Sequence, residues 1–115
     1  MRSDDIKTVS ELISRMEKEL GEDCDWEEVT SPDRSRNFVR ELENELSADD
    51  FSSLRVLSAA AKCTSRDDVL FSMADGRWRI YHLTYSRNNA AGFPRYREFK
   101  DFSAVAEYFI GMNHE

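Results

Sequence analysis

The chain has few of the residues that usually announce chemistry. Its 115 residues include 2 histidines, 2 cysteines, 4 glycines and 2 prolines. Cys24 and Cys63 lack CxxC spacing, so no zinc ribbon or dithiol redox motif is present; one is expected in a loop and the other as a small buried side chain. Two Cys and two His at positions 24, 63, 82 and 114 are too scattered to give a zinc site, and Glu22-Asp23-Cys24-Asp25 lacks the glycine and spacing of a calcium loop. There is no glycine-rich phosphate loop. No apolar run approaches the roughly 20 residues that span a bilayer. Near the start, Ile6, Val9, Leu12 and Ile13 are interleaved with charges instead of forming a secretory core. The expectation is a cytoplasmic chain with reduced thiols, no metal, no cofactor and no catalytic motif.

What is present is charge, unevenly placed. Residues 1–64 hold sixteen Asp and Glu against nine Lys and Arg, whereas residues 65–115 hold seven of each, so the formal net charge of −7 belongs to the first part. The densest stretch contains Glu17, Glu19, Glu22, Asp23, Asp25, Glu27 and Glu28, opposed only by Lys18. Such a field speeds encounter with basic partners and repels nucleic acid and anionic membranes. Hydrophobic content of 40% and aromatic content of 11% support one packed domain over 1–115 despite 34% charged residues.

Periodicity then predicts the elements. Thr8-Val9-Ser10-Glu11 reads as a capping box ahead of a helix with Val9, Leu12, Ile13, Met16 and Leu20 on one side and Gly21 at its end. The segment from Glu22 to Thr30 reads as a loop or short extended piece whose Trp26 packs onto the helices. Ser31-Pro32-Asp33 starts a second helix with Phe38, Val39, Leu42 and Leu46 inward and Glu41, Glu43 and Glu45 mostly in water. Ser47 caps a third helix, continued through Ala59-Ala60-Ala61, whose small side chains suggest close approach to a neighbour. Alternation follows: Val69, Phe71 and Met73 on one face, then Asp75-Gly76 as a two-residue type I′ hairpin. Counting from that turn pairs Met73 with Trp78, Phe71 with Ile80 and Val69 with His82, which places Val69, Phe71, Trp78 and Ile80 on one buried face. A third strand runs from Arg95 to Phe99, and Asp101 or Ser103 caps a last helix. The predicted fold is α+β: three N-terminal helices over about 1–64, a three-stranded antiparallel meander, and a C-terminal helix.

Two groups compete for function. The acidic residues around Trp26 form a candidate surface for a basic partner, with the indole as central anchor. Arg77, Arg79, Tyr81, Tyr85, Arg95, Tyr96 and Arg97 form the alternative face, because arginines interleaved with aromatics on an open sheet can stack single-stranded nucleic acid; the net negative charge weighs against that ligand. His82 is the catalytic suspect, with Thr84 two residues on, but it lacks a nucleophile of the usual kind and reads better as a hydrogen-bonded sheet residue.

The segment Asp75-Gly-Arg-Trp-Arg-Ile-Tyr-His-Leu-Thr-Tyr-Ser86, with Phe93-Pro-Arg-Tyr96 and Phe99-Lys-Asp-Phe102, resembles a pattern in small acidic bacterial immunity proteins of polymorphic toxin and contact-dependent inhibition systems. The likeness covers less than a third of the chain. It implies one-to-one binding of a cognate toxin domain, often a basic nuclease. The alternative is a small cytoplasmic adaptor or regulatory protein, homodimeric through its sheet, with no toxin partner.

Overall fold

The computed structural model describes residues 6–21, 24–86 and 94–113. Among them are four helices, α1 (Val9–Leu20), α2 (Pro32–Glu45), α3 (Ala48–Leu54) and α4 (Phe102–Asn113), and five strands, β1 (Trp26–Glu28), β2 (Val56–Cys63), β3 (Asp68–Met73), β4 (Trp78–His82) and β5 (Tyr96–Phe99). The strands form one antiparallel sheet in the order β1-β2-β3-β4-β5. The α+β class holds, but the expected three helices followed by a three-stranded meander does not.

Local chemistry sets the helix ends. Thr8 Oγ1 accepts from Glu11 N, Ser31 Oγ from Arg34 N, Ser47 Oγ from Asp50 N and Asp101 Oδ1 from Ala104 N. The Glu11 carboxylate reaches back to the Lys7 amide, one residue before the cap. Gly21 ends α1 with φ 58.

The third helix is where the prediction fails first. It stops after seven residues because Arg55 turns left-handed at φ 53, and the chain leaves as β2. The alanine run is therefore strand. Register shifts between Val56 and Ser58 and between Ala59 and Ala61 mark irregularities in β2. There the amide of Ala59 leaves the ladder and donates to Ser35 Oγ of α2 at 2.9 Å. The close approach anticipated from the alanines is real, and α2 is the neighbour.

The hairpin is the second correction. Gly76 is the only residue of the 74–77 turn with positive φ (+91), and Gly76 N donates to the Met73 carbonyl at 3.1 Å. A type I′ turn needs positive φ at both centres. The turn instead takes an extra residue, and the pairs become Ser72 with Trp78, Phe71 with Arg79, Leu70 with Ile80 and Asp68 with His82. One residue of slip exchanges the faces. Val69 and Phe71 thus share a face with Tyr81, while Ile80 and Trp78 share the other with Leu70.

The slip is tolerated because both faces are covered. On one, Trp26, Ala61, Cys63, Leu70, Ile80 and Phe99 pack with Leu12, Ile13 and Met16 of α1 and Val105, Ala106 and Phe109 of α4. On the other, Ala59, Val69, Phe71, Met73, Tyr81 and Leu83 pack with Leu42 of α2 and Leu54 of α3. Among the described residues the result is a three-layer sandwich, with helices on both faces of the sheet and β1 and β5 as its outer strands. No helix among the described residues is long and apolar enough to cross a membrane.

Candidate functional site

The two groups of candidate residues end up at opposite edges of the sheet. On the β1 side, Glu17 and Glu19 project from α1 and Asp25 precedes β1, all three exposed. Glu27 and Glu28 lie on β1 and are half-buried. Glu19 pairs with Arg15 at 3.7 Å and Glu27 with Arg34, while Glu28 accepts from the Ser10 hydroxyl at 2.7 Å. The Glu28–Ser10 and Glu27–Arg34 contacts tie α1 and α2 to the strand, while Glu19–Arg15 stays within α1. Glu22 and Asp23 lie outside the described residues. Trp26 cannot be the aromatic anchor of this surface. It is 5% exposed and stands edge-on to Phe109, with ring centroids 4.9 Å apart. Alternation along β1 turns its side chain to the core, so the acidic surface is charge without a central apolar knob.

The arginine and tyrosine residues do not form one open face. Strand alternation and the packed helices divide them. On the α2–α3 side, Arg79, Tyr81, Tyr96 and Glu98 sit across β4 and β5. Arg79 Nε donates to Glu98 Oε1 at 2.9 Å and Nη1 to the Tyr81 hydroxyl at 2.6 Å, and the guanidinium lies 4.0 Å from the Tyr96 ring centroid. Arg77 also donates to Glu98 Oε1, at 3.0 Å, and pairs with Asp75. Burial works against the charge on Arg79, yet the Tyr81 and Glu98 bonds outweigh it and hold the group more firmly protonated than usual. Burial pushes the Tyr81 phenol up, and its bond to Arg79 recovers only part of that. A groove of about 310 Å³ opens here between Leu46, Asp50, Ser53 and Leu54 on one wall and Arg79, Tyr81, Pro94 and Tyr96 on the other.

On the α4 side, Arg97 stacks over Tyr108 at 4.8 Å, and Arg95 and His82 line a shallower cavity with them. His82 Nδ1 is 2.8 Å from Asp68 Oδ1, and Asp68 also pairs with Arg66 at 3.3 Å. The imidazole is exposed. Thr84 does not join it: its hydroxyl donates to Glu45 on the other side of the sheet at 2.8 Å. The platform imagined for nucleic acid stacking is therefore absent among the described residues, since helices cover both faces.

Sequence reading missed Glu45, which it left in water. The residue is 7% exposed, and its carboxylate accepts from Thr84 N and Oγ1 at 2.8 Å and from Tyr85 N at 3.0 Å. Burial alone would raise its pKa; hydrogen bonds with Glu41, Thr84 and Tyr85 win and hold it below the ordinary value. The bonds also secure Tyr85 in its positive-φ conformation (φ 55). Tyr85 itself is 55% exposed and apart from the Arg79 cluster. Nothing local in the sequence signals this lock, because the partners are 39 and 40 residues away.

The geometry defines an α/β/α sandwich with an antiparallel central sheet, an acidic edge at β1 and a tyrosine–arginine groove near β5. No protein-family model, curated protein or solved structure matches this chain.

Proposed function

We propose that the chain is a cytoplasmic binding protein of the immunity type, which neutralises a basic toxin domain by one-to-one association and turns over no substrate of its own. The observation that supports this reading is the acidic edge: Glu17 and Glu19 of α1 and Asp25 just before β1 are exposed beside Glu27 and Glu28 of β1, and both elements pack on the core. A fixed array of like charge costs stability by self-repulsion and speeds capture of an oppositely charged partner. With Trp26 in the core, electrostatics dominates this surface, and the complex gains its specificity from the spacing of carboxylates that meet Lys and Arg on the toxin. A nuclease domain is the natural target, because its substrate groove is basic.

The test is protection. The genes flanking its own are searched for a basic effector domain, the chain is co-expressed with each candidate, growth is followed, and the purified pair is measured by calorimetry. Rescue of growth with one-to-one binding that weakens steeply with salt is the expected result. An effector that kills equally with and without the chain, and does not bind it, overturns the proposal.

A further inference from the structure

We propose that the groove between the α2–α3 corner and β4–β5 is a binding site for a small organic acid, which places its carboxylate against Arg79 and Tyr81 and its apolar body along Leu46, Leu54, Pro94 and Tyr96. The site lies by the β5 edge, at the far side of the sheet from the acidic β1 edge. It stands independently of the toxin-binding reading.

The first reason is an unused donor. Tyr81 is 1% exposed and lines the groove. Its hydroxyl oxygen accepts from Arg79 Nη1, which leaves the phenol proton to donate, and it donates to none of the described residues. A buried hydroxyl proton without an acceptor is costly unless something supplies one. Arg79 adds to this. Its Nε and Nη1 are engaged, and Nη2 has no acceptor among the described residues. Both groups line the same groove, and a carboxylate offers the lone pairs that both need.

The second reason is how firmly Arg79 is held. Asp75, Arg77, Glu98 and Arg79 form a chain of alternating charge that begins at the exposed hairpin turn. Glu98 is shared by two guanidiniums, so the inner end of the chain, at Arg79, keeps positive character. The Tyr96 ring beneath the guanidinium fixes its plane. The cation is only 14% exposed and cannot swing away to water. Preorganised donors of this kind lose little freedom on binding, which is where a small ligand gains its affinity.

The third reason is shape. A volume of about 310 Å³ is at the small end of ligand cavities. Leucine side chains and a proline line one part of it, and Asp50 and Ser53 stand on the α3 wall. A dianion such as phosphate would meet about twice a monoanion's repulsion from Asp50 and Glu98 and lacks an apolar body to fill the space. A monocarboxylate with one ring fits the chemistry better.

Phenylacetate is the probe, with phenylacetamide as its neutral twin, and binding to the full chain is followed by amide and tyrosine NMR shifts. Phenylacetate is expected to shift the signals of Tyr81, Leu54 and Tyr96 saturably, with phenylacetamide at least about 10-fold weaker, since a site that hydrogen-bonds a charged group rejects the analogue lacking it. Tyr81→Phe keeps the ring and removes both the donated proton and the oxygen that accepts from Arg79 Nη1, and is expected to weaken phenylacetate by about 10-fold in a chain that still folds with a somewhat lower thermal midpoint. Should Tyr81→Phe unfold the chain, Ser53→Trp at the exposed rim fills the groove and is expected to abolish the shifts. Equal affinity for acid and amide, undiminished binding to a folded Tyr81→Phe or Ser53→Trp chain, or no saturable shift in the wild type would overturn the proposal.

Discussion

Replacing Glu45 by glutamine changes almost no volume and removes one charge, so it isolates the lock between α2 and the segment leaving β4. In the wild type one carboxylate oxygen accepts two bonds from Thr84 and the other accepts from Tyr85 N. An amide can keep its oxygen on the Thr84 side only by turning its NH₂ towards the Tyr85 amide, where donor meets donor. One charge-assisted bond is lost outright and two are reduced to neutral strength. With about 1.5–3 kcal/mol for a hydrogen bond to a charged group against about 1 for a neutral one, Glu45→Gln should cost about 2.5 kcal/mol or more at pH 7. Urea denaturation measures it. The pH dependence gives the sharper check. The folded carboxyl titrates below its ordinary value of 4.5, so its contribution is complete above that value and is lost as pH falls through the folded pKa. The stability gap between wild type and Glu45→Gln should therefore be constant near neutrality and close on acidification. A cost under about 0.5 kcal/mol, within the range of an ordinary surface change, or a gap that widens as pH falls, would refute the reasoning.

Other consequences follow from single side chains. Phe71→Ala empties a fully buried site edge-on to Tyr81 and should cost about 3–5 kcal/mol by chemical denaturation. Gly76→Ala meets no atom within 4 Å, so its loss of about 1 kcal/mol should come from the positive φ alone, and Gly76→Asn should recover part of it. Trp26→Ala should destabilise the fold by about 3–5 kcal/mol, and any loss of partner binding should track the unfolded fraction instead of appearing in the folded protein.

Helix caps were legible because each is a contact within a few residues: Thr8, Ser31 and Ser47 act as the sequence suggested, and of the two candidates for the last helix it is Asp101 that accepts from Ala104 N. Strand β2 was not. Its alanines carry neither β-branching nor alternation, and helix propensity favours alanine, so the left-handed Arg55 and the pairing with β3 decide the outcome from outside the segment. Strand β1 is three residues long, too short for alternation to speak. The hairpin register turned on one residue. Asp75-Gly76 marks a turn correctly in either geometry, but only the φ of Asp75 separates a two-residue loop from a three-residue one. The same slip explains the candidate site. An alternating strand seemed to have one core face and one open face, yet Tyr81 on the supposed open face is 1% exposed beneath α2 and α3. Charge placement was readable in outline, as Glu17, Glu19 and Asp25 do face outward. The burial of Trp26 and Glu45 depends on long-range partners and was not.

The central claim is that the acidic β1 edge captures a basic protein domain. The most direct test is the association rate of the chain with a basic toxin domain from which it protects growth, measured by stopped flow across ionic strength. Wild type is compared with a Glu17→Lys, Glu19→Lys, Asp25→Lys triple variant. All three positions are exposed and away from the core, and the change removes most of the net charge of −7. The account predicts a rate at low salt at least about 10-fold slower for the variant, with a much flatter salt dependence and an unchanged thermal midpoint. A variant that associates as fast as wild type, with the same salt slope, would show that these carboxylates only solvate the surface.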